Sequence, residues 1–259
     1  MIKDMKIENR KLDYLSVLCL SVLTLVGSIV FIIGTNYNLG YSLEKISDLN
    51  FMMHMELMKG HNEQAIANKE SGNGFLAEKH IEHSLYESFG AIKNQLTNSH
   101  PDLDKKFSTE FNYLRSIAQN STETEFIEAV KNSKLIDEIS NTLVPNTNTT
   151  FTLLTIGKIL DSIIGEYNAA VDGEGNIQAI IEYQDSLGFI SRADALINQV
   201  VEEDSIFEKN ELKKIDNSIN IIQDKLEKKI QYDDVVEDLH NTIGMILKIT
   251  NVNDAVMYS

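Results

Sequence analysis

The sequence predicts an all-α protein, and three observations carry that prediction. Only two prolines occur, Pro101 and Pro145, in 259 residues. Apolar side chains recur at three- and four-residue steps over long runs, the spacing that gives a helix one apolar face. Glycine and asparagine cluster between those runs rather than inside them, as at Ser71-Gly72-Asn73-Gly74 and Asp172-Gly173-Glu174-Gly175-Asn176, where left-handed backbone ends one helix and admits the next. No run of alternating character suggests a strand. The expected architecture is an N-terminal transmembrane helix followed by an extracytoplasmic antiparallel helical bundle, or two stacked bundles.

The membrane segment is the first element. Residues 14–35 hold 22 residues without a formal charge, rich in Leu, Val and Ile. At about 1.5 Å per residue they can cross a hydrocarbon layer about 30 Å thick. The run exceeds the apolar stretch of a cleaved signal, and no small-residue cleavage pattern follows it. Lys3, Lys6, Arg10 and Lys11 precede it, whereas Lys45 is the one basic residue among 36–50. The positive-inside bias therefore puts residues 1–13 in the cytoplasm as a short tail and the remainder outside. Such a tail has no room for a signalling domain, so any signal passes through a partner. Asn120-Ser121-Thr122 and Asn148-Thr149-Thr150 are glycosylation sequons compatible with that side.

The helices after the span follow in order. Leu43, Ile46, Leu49 and Met53 give an apolar face to a helix over 39–69. A second runs over 75–97, with Leu76, Ile81, Leu85, Phe89, Ile92 and Leu96 inward, and stops at His100-Pro101. Thr122-x-x-Glu125 reads as a capping box opening a helix that reaches Val144-Pro145. Asn148-Thr149-Thr150 caps the next, with Leu153, Ile156, Ile159, Leu160, Ile163 and Ile164 inward. A helix over 177–202, one opened by Ser205-x-x-Glu208 and reaching about 229, and one over 233–248 complete about eight helices. Residues 36–145 are the expected first bundle and 146–259 the second. A sparse echo links them, Gly60-x-x-x-x-Ala65 then Gly72-Asn73 against Gly165-x-x-x-x-Ala170 then Gly175-Asn176; convergent hairpin grammar explains it as well as duplication does.

Charge narrows the function. The formal net charge is −16, and residues 14–259 hold 19 basic and 36 acidic side chains. That surface repels phosphate backbones, which excludes nucleic acid as a partner. The single cysteine, Cys19, lies in the apolar span, so neither an intrachain disulfide nor a Cys–His enzyme is available. Phosphate-binding loops, G-x-S-x-G, H-E-x-x-H and CxxC are all missing. The sequence reads as a non-enzymatic protein.

One constellation can carry chemistry. His54, Met58 and His61 share a face of the first helix, and His80, His83 and Glu87 share a face of the second. Folding about Gly72 sets His61 opposite His83 and Met58 near Glu87. Imidazole with carboxylate suits copper, zinc or iron, and thioethers favour Cu(I). His61, His80, His83 and Glu87 are the leading candidate ligands, with Met58 and His54 as outer ones. A plainer reading stands beside this one: methionine at helical spacing fills cores, and histidine in a bundle is often merely hydrogen-bonded. Glu166, Glu182, Tyr183 and Asp185 form a carboxylate group near the second turn, expected as a solvated face.

The stretch Met58-Lys59-Gly60-His61-Asn62-Glu63-Gln64-Ala65, with Asn68-Lys69, Gly72-Asn73, Leu76-Ala77, His80, His83 and Glu87, resembles a pattern in helical, membrane-anchored extracytoplasmic proteins of ammonia-oxidising archaea, some of them in metal or iron-permease contexts. The likeness covers about thirty residues strongly and Glu166-Tyr167 with Glu182-Tyr183-Gln184-Asp185 more loosely. Where that pattern has His-Pro, this chain has His83-Ser84, which implies a different local bend. The resemblance implies an archaeal envelope setting and association with a copper-dependent membrane complex such as ammonia monooxygenase. Three functions stay open: a module binding a metal ion or a partner near the membrane, a structural accessory subunit of a larger membrane complex, and a sensory ectodomain acting through a signalling partner.

Overall fold

The computed structural model describes residues 47–145, 147–203 and 207–257. The predicted span at 14–35 and the cytoplasmic tail at 1–13 lie outside the described residues. Among the described residues, no helix is long and apolar enough to cross a membrane. They are almost wholly helical, with one isolated antiparallel bridge, Val171 to Ile177.

The first described helix, α1 (47–70), ends where Gly72 takes a positive φ of 79°, a conformation that costs glycine little. Asn73 then caps α2 (Gly74–His83), its side chain accepting from the Leu76 amide. The helix expected over 75–97 is not uniform. A π-helical turn, Ser84–Ser88, separates α2 from α3 (Phe89–Ser99). Pro101 opens α4 (Pro101–Ala118), where its missing N–H is no loss.

Two boundaries differ from expectation. The single helix predicted over 122–144 is two, α5 (Glu123–Asn132) and α6 (Leu135–Leu143), because Ser133 is extended at φ −64°, ψ 116°. The Thr122 cap is as predicted, its hydroxyl accepting from the Glu125 amide. Ser205, the first residue of the second predicted capping box, lies outside the described residues. Glu208, expected three residues inside, is itself the N-cap of α9 (Lys209–Glu227) and makes no side-chain cap bond. Asn148 caps α7 (Thr149–Ala170) as predicted, accepting from Phe151. The remaining helices are α8 (Ile180–Glu203) and α10 (Tyr232–Thr250).

Helices α7 to α10 form a four-helix bundle in which each element packs on its neighbours in sequence and α10 returns to α7. Leu153, Ile156, Ile159, Leu160 and Ile163 are all fully buried there. Buried hydroxyls tie the bundle's ends: Tyr167 donates to the Ile230 carbonyl at 2.6 Å and Tyr183 to the Leu226 carbonyl at 3.1 Å. At the turn between α7 and α8, Gly175 (φ 82°) lies so close to Lys229 that a Cβ would stand 2.4 Å from its carbonyl oxygen.

The described residues from Ser47 onward belong to one compact unit, so the described parts of the two expected bundles, 47–145 and 147–257, meet in a shared interior. The seam is between α1 and α8. Gly60 and Gly188 face each other backbone to backbone: a Cβ on Gly188 would lie 2.6 Å from the Gly60 oxygen. Beside this contact Arg192 grips Glu56 through Nε and Nη2, at 3.0 and 2.9 Å, and reaches Glu63 with Nη1 at 2.9 Å. At the other end of α1, the buried Lys69 ammonium donates to the Ala118 and Ser121 carbonyls at 2.6 and 2.8 Å. It satisfies acceptors that the end of α4 leaves free, where a cation is also favoured by the helix dipole.

This seam makes a paired prediction. Gly188→Ala forces a methyl into backbone and should destabilise the protein by about 2–3 kcal/mol. A Cβ at Gly165 meets nothing within 4 Å, so Gly165→Ala should be neutral or stabilise by up to about 1 kcal/mol through helix propensity. Thermal melts of the two variants check this, and equal melting temperatures would refute the close-approach account.

Candidate metal centre

The Asp185 side chain is 0% exposed, although it was expected on a solvated face. It lies four and eight residues before Phe189 and Ala193, both buried, and so shares the inward stripe of α8. A carboxylate taken out of water costs several kcal/mol unless its oxygens find donors. Here three imidazoles supply them. Oδ1 accepts from Nδ1 of His61 at 2.7 Å and Nδ1 of His80 at 2.8 Å, and Oδ2 accepts from Nδ1 of His83 at 2.8 Å.

The turn at Gly72 sets the two histidine helices at one level, as the sequence register predicts. The His61 and His83 rings meet edge to face at 5.7 Å, and His80 and His83 at 6.4 Å. The Gly60–Gly188 contact brings α1 near enough for His61, the next residue, to reach Asp185. Phe189 closes the apolar side, edge-on to His61 at 5.0 Å.

A chain of amides orients His80. Asn68 Nδ2 donates to the Gln64 backbone oxygen at 2.9 Å, which fixes the side-chain amide. Asn68 and Gln184 then pair reciprocally, at 3.0 and 3.2 Å. That leaves Gln184 Oε1 facing His80 Nε2 at 2.8 Å. An oxygen there requires an N–H on Nε2, so Nδ1 is the nitrogen that would be offered to a metal once its proton on Asp185 is displaced. This is the anchoring that ligating histidines use.

The electrostatics follow from burial. Desolvation alone would raise the Asp185 carboxyl; the charge of His61 and the three imidazole hydrogen bonds reverse this and hold it far below the usual carboxylate range. Burial would lower His83, but the hydrogen bond and charge of Asp185, then Glu87 and Glu182, raise it above its ordinary value. Glu166 on α7 is pushed up to about 7, first by burial and then by Asp185 and Glu87, with His83 opposing and Glu182 adding. Glu166, Glu182 and Glu87 are thus within electrostatic reach of His83.

The predicted ligands separate into groups. His61, His80 and His83 converge, and the donor atoms of His61, His80 and Asp185 lie within 4.8 Å of one another, close enough to be gathered round one ion. Glu87, on the π turn, approaches His83 Nδ1 to 3.6 Å. Met58 is fully buried in the hydrophobic core, and its carbonyl accepts from Ser84 Oγ at 3.4 Å. His54, two turns before His61 on α1, lines a separate cavity. Asp185 is the residue that spacing alone did not select. Its signal was a lone carboxylate on an otherwise apolar stripe.

Residues 142–252 match the iron permease-associated 4-helix bundle domain. The match covers less than half of the chain and corresponds to α7 through α10 with the end of α6. It contains Asp185, Glu166 and Glu182, whereas all three histidines lie outside it. No curated protein matches this chain, and no solved structure does. The donor set is compatible with a metal ion, and the matched domain is named for iron permeases.

Glu166 gives a pH prediction. Its ordinary value is 4.5 and its folded value about 7, so the folded chain retains a proton that the unfolded chain releases. Stability should therefore fall as pH rises from about 4.5 to about 7 and stay level above. In metal-free protein, Glu166→Gln should gain about 1–2 kcal/mol at pH 8, allowing for the side chain's partial exposure, and nothing at pH 4. Melting curves at both pH values check it; a gain of equal size at pH 4 would contradict it.

Proposed function

We propose that the chain is a non-enzymatic, membrane-anchored extracytoplasmic helical module that binds a transition-metal ion, iron foremost, at the centre built on Asp185. The observation that carries this reading is the convergence of three Nδ1 atoms from two helices on one buried carboxylate from a third. Copper and zinc suit the same nitrogens and oxygens. The match of α7–α10 to an iron permease-associated domain favours iron, and it favours a module that accompanies a metal transporter rather than one that works alone. The anchor is residues 14–35, by charge asymmetry and length. The resemblance to envelope proteins of ammonia-oxidising archaea is the support for reading the module as facing outward from an archaeal membrane.

In the arrangement described, protons hold the positions that an ion would take. His61 and His80 share Oδ1 through Nδ1–H, and His83 holds Oδ2. A dication held by His61, His80 and Asp185 would take over the role of these protons, with the Nε2–H of His80 left on Gln184. Glu166, Glu182 and Glu87 present carboxylates on the exposed side, where an arriving cation exchanges water for oxygen ligands. Uptake releases protons, so affinity falls as the medium is acidified.

The test uses the full chain in detergent. Elemental analysis and anaerobic titration with Fe(II), and separately with Zn(II), should show saturable uptake with proton release. Asp185→Asn should abolish it. That variant removes one partner of a buried charged cluster and stands to lose about 3–5 kcal/mol of stability, so the partly exposed His83→Gln provides the second arm. It should keep the fold and weaken binding about 10–100-fold. Wild-type protein that takes up no ion and melts unchanged with iron, zinc or copper would end the metal reading.

A further inference from the structure

The four side chains of the Asp185 centre differ in their access to water. Those of His80 and Asp185 are 0% exposed and that of His61 is 1%, whereas that of His83 is 19%. The buried imidazoles are fastened from more than one side. His80 bonds through both ring nitrogens, to Asp185 and to Gln184. His61 packs edge-on against Phe189 as well as bonding to Asp185. His83 has one hydrogen bond among the described residues, from Nδ1 to Asp185 Oδ2 at 2.8 Å. The ring that faces water is thus also the ring most easily turned.

A second acceptor stands beside that ring. Glu87 Oε2 is 3.6 Å from the same Nδ1, and the Glu87 side chain is 55% exposed. That separation is beyond hydrogen-bond length, so the structure holds the ring in its inward position. His83 ends α2, and Glu87 follows four residues later within the π-helical turn Ser84–Ser88. A rotation of the ring alone would carry its N–H from the buried carboxylate to the exposed one. At rest the inward position wins. Oδ2 has no other donor among the described residues, and stripping a buried carboxylate of its partner is costly. A cation entering beside Oδ2 supplies the missing positive charge, so the outward position gains population when an ion is present.

We propose that His83 is the gate of the Asp185 centre and that Glu87 is the residue that holds the gate open. An ion passes to His61, His80 and Asp185 while His83 Nδ1 is turned from Asp185 Oδ2 to Glu87 Oε2, and the ring then closes behind it. This inference rests on the metal-binding reading above and adds to it a step that sets the rate of uptake and release. Glu87 is a positioning residue here, acting on the ion through the ring.

Anaerobic stopped-flow mixing of the full chain with Fe(II), and separately with Zn(II), measures association and dissociation apart from equilibrium uptake. His83→Ala removes the ring that closes the entrance. Association should become about tenfold faster, the factor that one hydrogen bond to a charged group represents. Dissociation should quicken still more, so that affinity falls; loss of a ligand without a gate would quicken dissociation alone. Glu87→Gln weakens the outward pull on the ring and should slow association about threefold. In the His83→Ala background the same substitution should change nothing further, because it acts through the ring. Association that fails to quicken in His83→Ala, or that slows equally with Glu87→Gln in both backgrounds, would overturn the gate and leave the metal site standing. Wild-type protein that takes up neither ion at equilibrium would overturn both. If His83→Ala unfolds the chain, the Glu87→Gln association rate decides, and an unchanged rate refutes the gate.

Discussion

The rest of the structure is arranged around the burial of one carboxylate. Asp185 lies fully inside, and a carboxylate there is tolerable only with its oxygens saturated. Three imidazole N–H groups do this, and they come from α1 and α2, more than a hundred residues earlier. The positions of three helices are therefore coupled. If α1 slides by one turn along α8, His61 leaves the carboxylate and a buried charge is stranded. The Gly60–Gly188 contact and the Arg192 grip on Glu56 and Glu63 hold that register from the side. Lys69 holds it from the end by fastening α1 to the close of α4. Packing alone can be satisfied in several registers, whereas a carboxylate with three directed donors accepts one.

The four-helix bundle and the preceding helices contribute different chemistry to this centre. The bundle gives Asp185 together with Glu166 and Glu182; the hairpin of α1 and α2 gives the imidazoles. Without the hairpin the bundle would expose carboxylates to water, a weak and unselective cation site. Docking the hairpin adds nitrogen donors and removes water, and both changes strengthen attraction at short range. The π turn at Ser84–Ser88 belongs to the same design, since it follows His83 directly and carries Glu87 to its ring. Extra-wide turns of this kind often sit at functional positions, because they re-aim one side chain without breaking the helix. An ion bound across hairpin and bundle would stabilise their docking by its own binding free energy.

Much of this was legible in the sequence because it is local. The caps at Thr122 and Asn148, the break at His100-Pro101 and the left-handed Gly72 depend on residues within four positions of each other, and the structure shows each. The pairing of His61 with His83 was also legible, since a hairpin's register follows from its turn. What local spacing misses is the partner across the fold. Asp185 sits on a helix with many carboxylates, and only the inward stripe through Phe189 and Ala193 distinguishes it from Glu182, which stays partly exposed. The helix expected over 122–144 failed for a related reason. Its apolar pattern continues through Ser133, but α5 and α6 bury separate sets, Phe126 and Val130 against Leu135, Ile136 and Ile139, and the backbone extends between them.

Donor chemistry bears on which ion the Asp185 centre holds. For nitrogen and oxygen ligands, affinity among divalent first-row ions rises towards copper, so a centre built for iron is always exposed to copper. Nothing in three imidazoles and a carboxylate rejects the stronger binder. Selection must then come from geometry or from what copper meets first. Geometry is what the fold supplies: the donors come from three helices whose register the Gly60–Gly188 contact and the Arg192 ion pairs hold fixed.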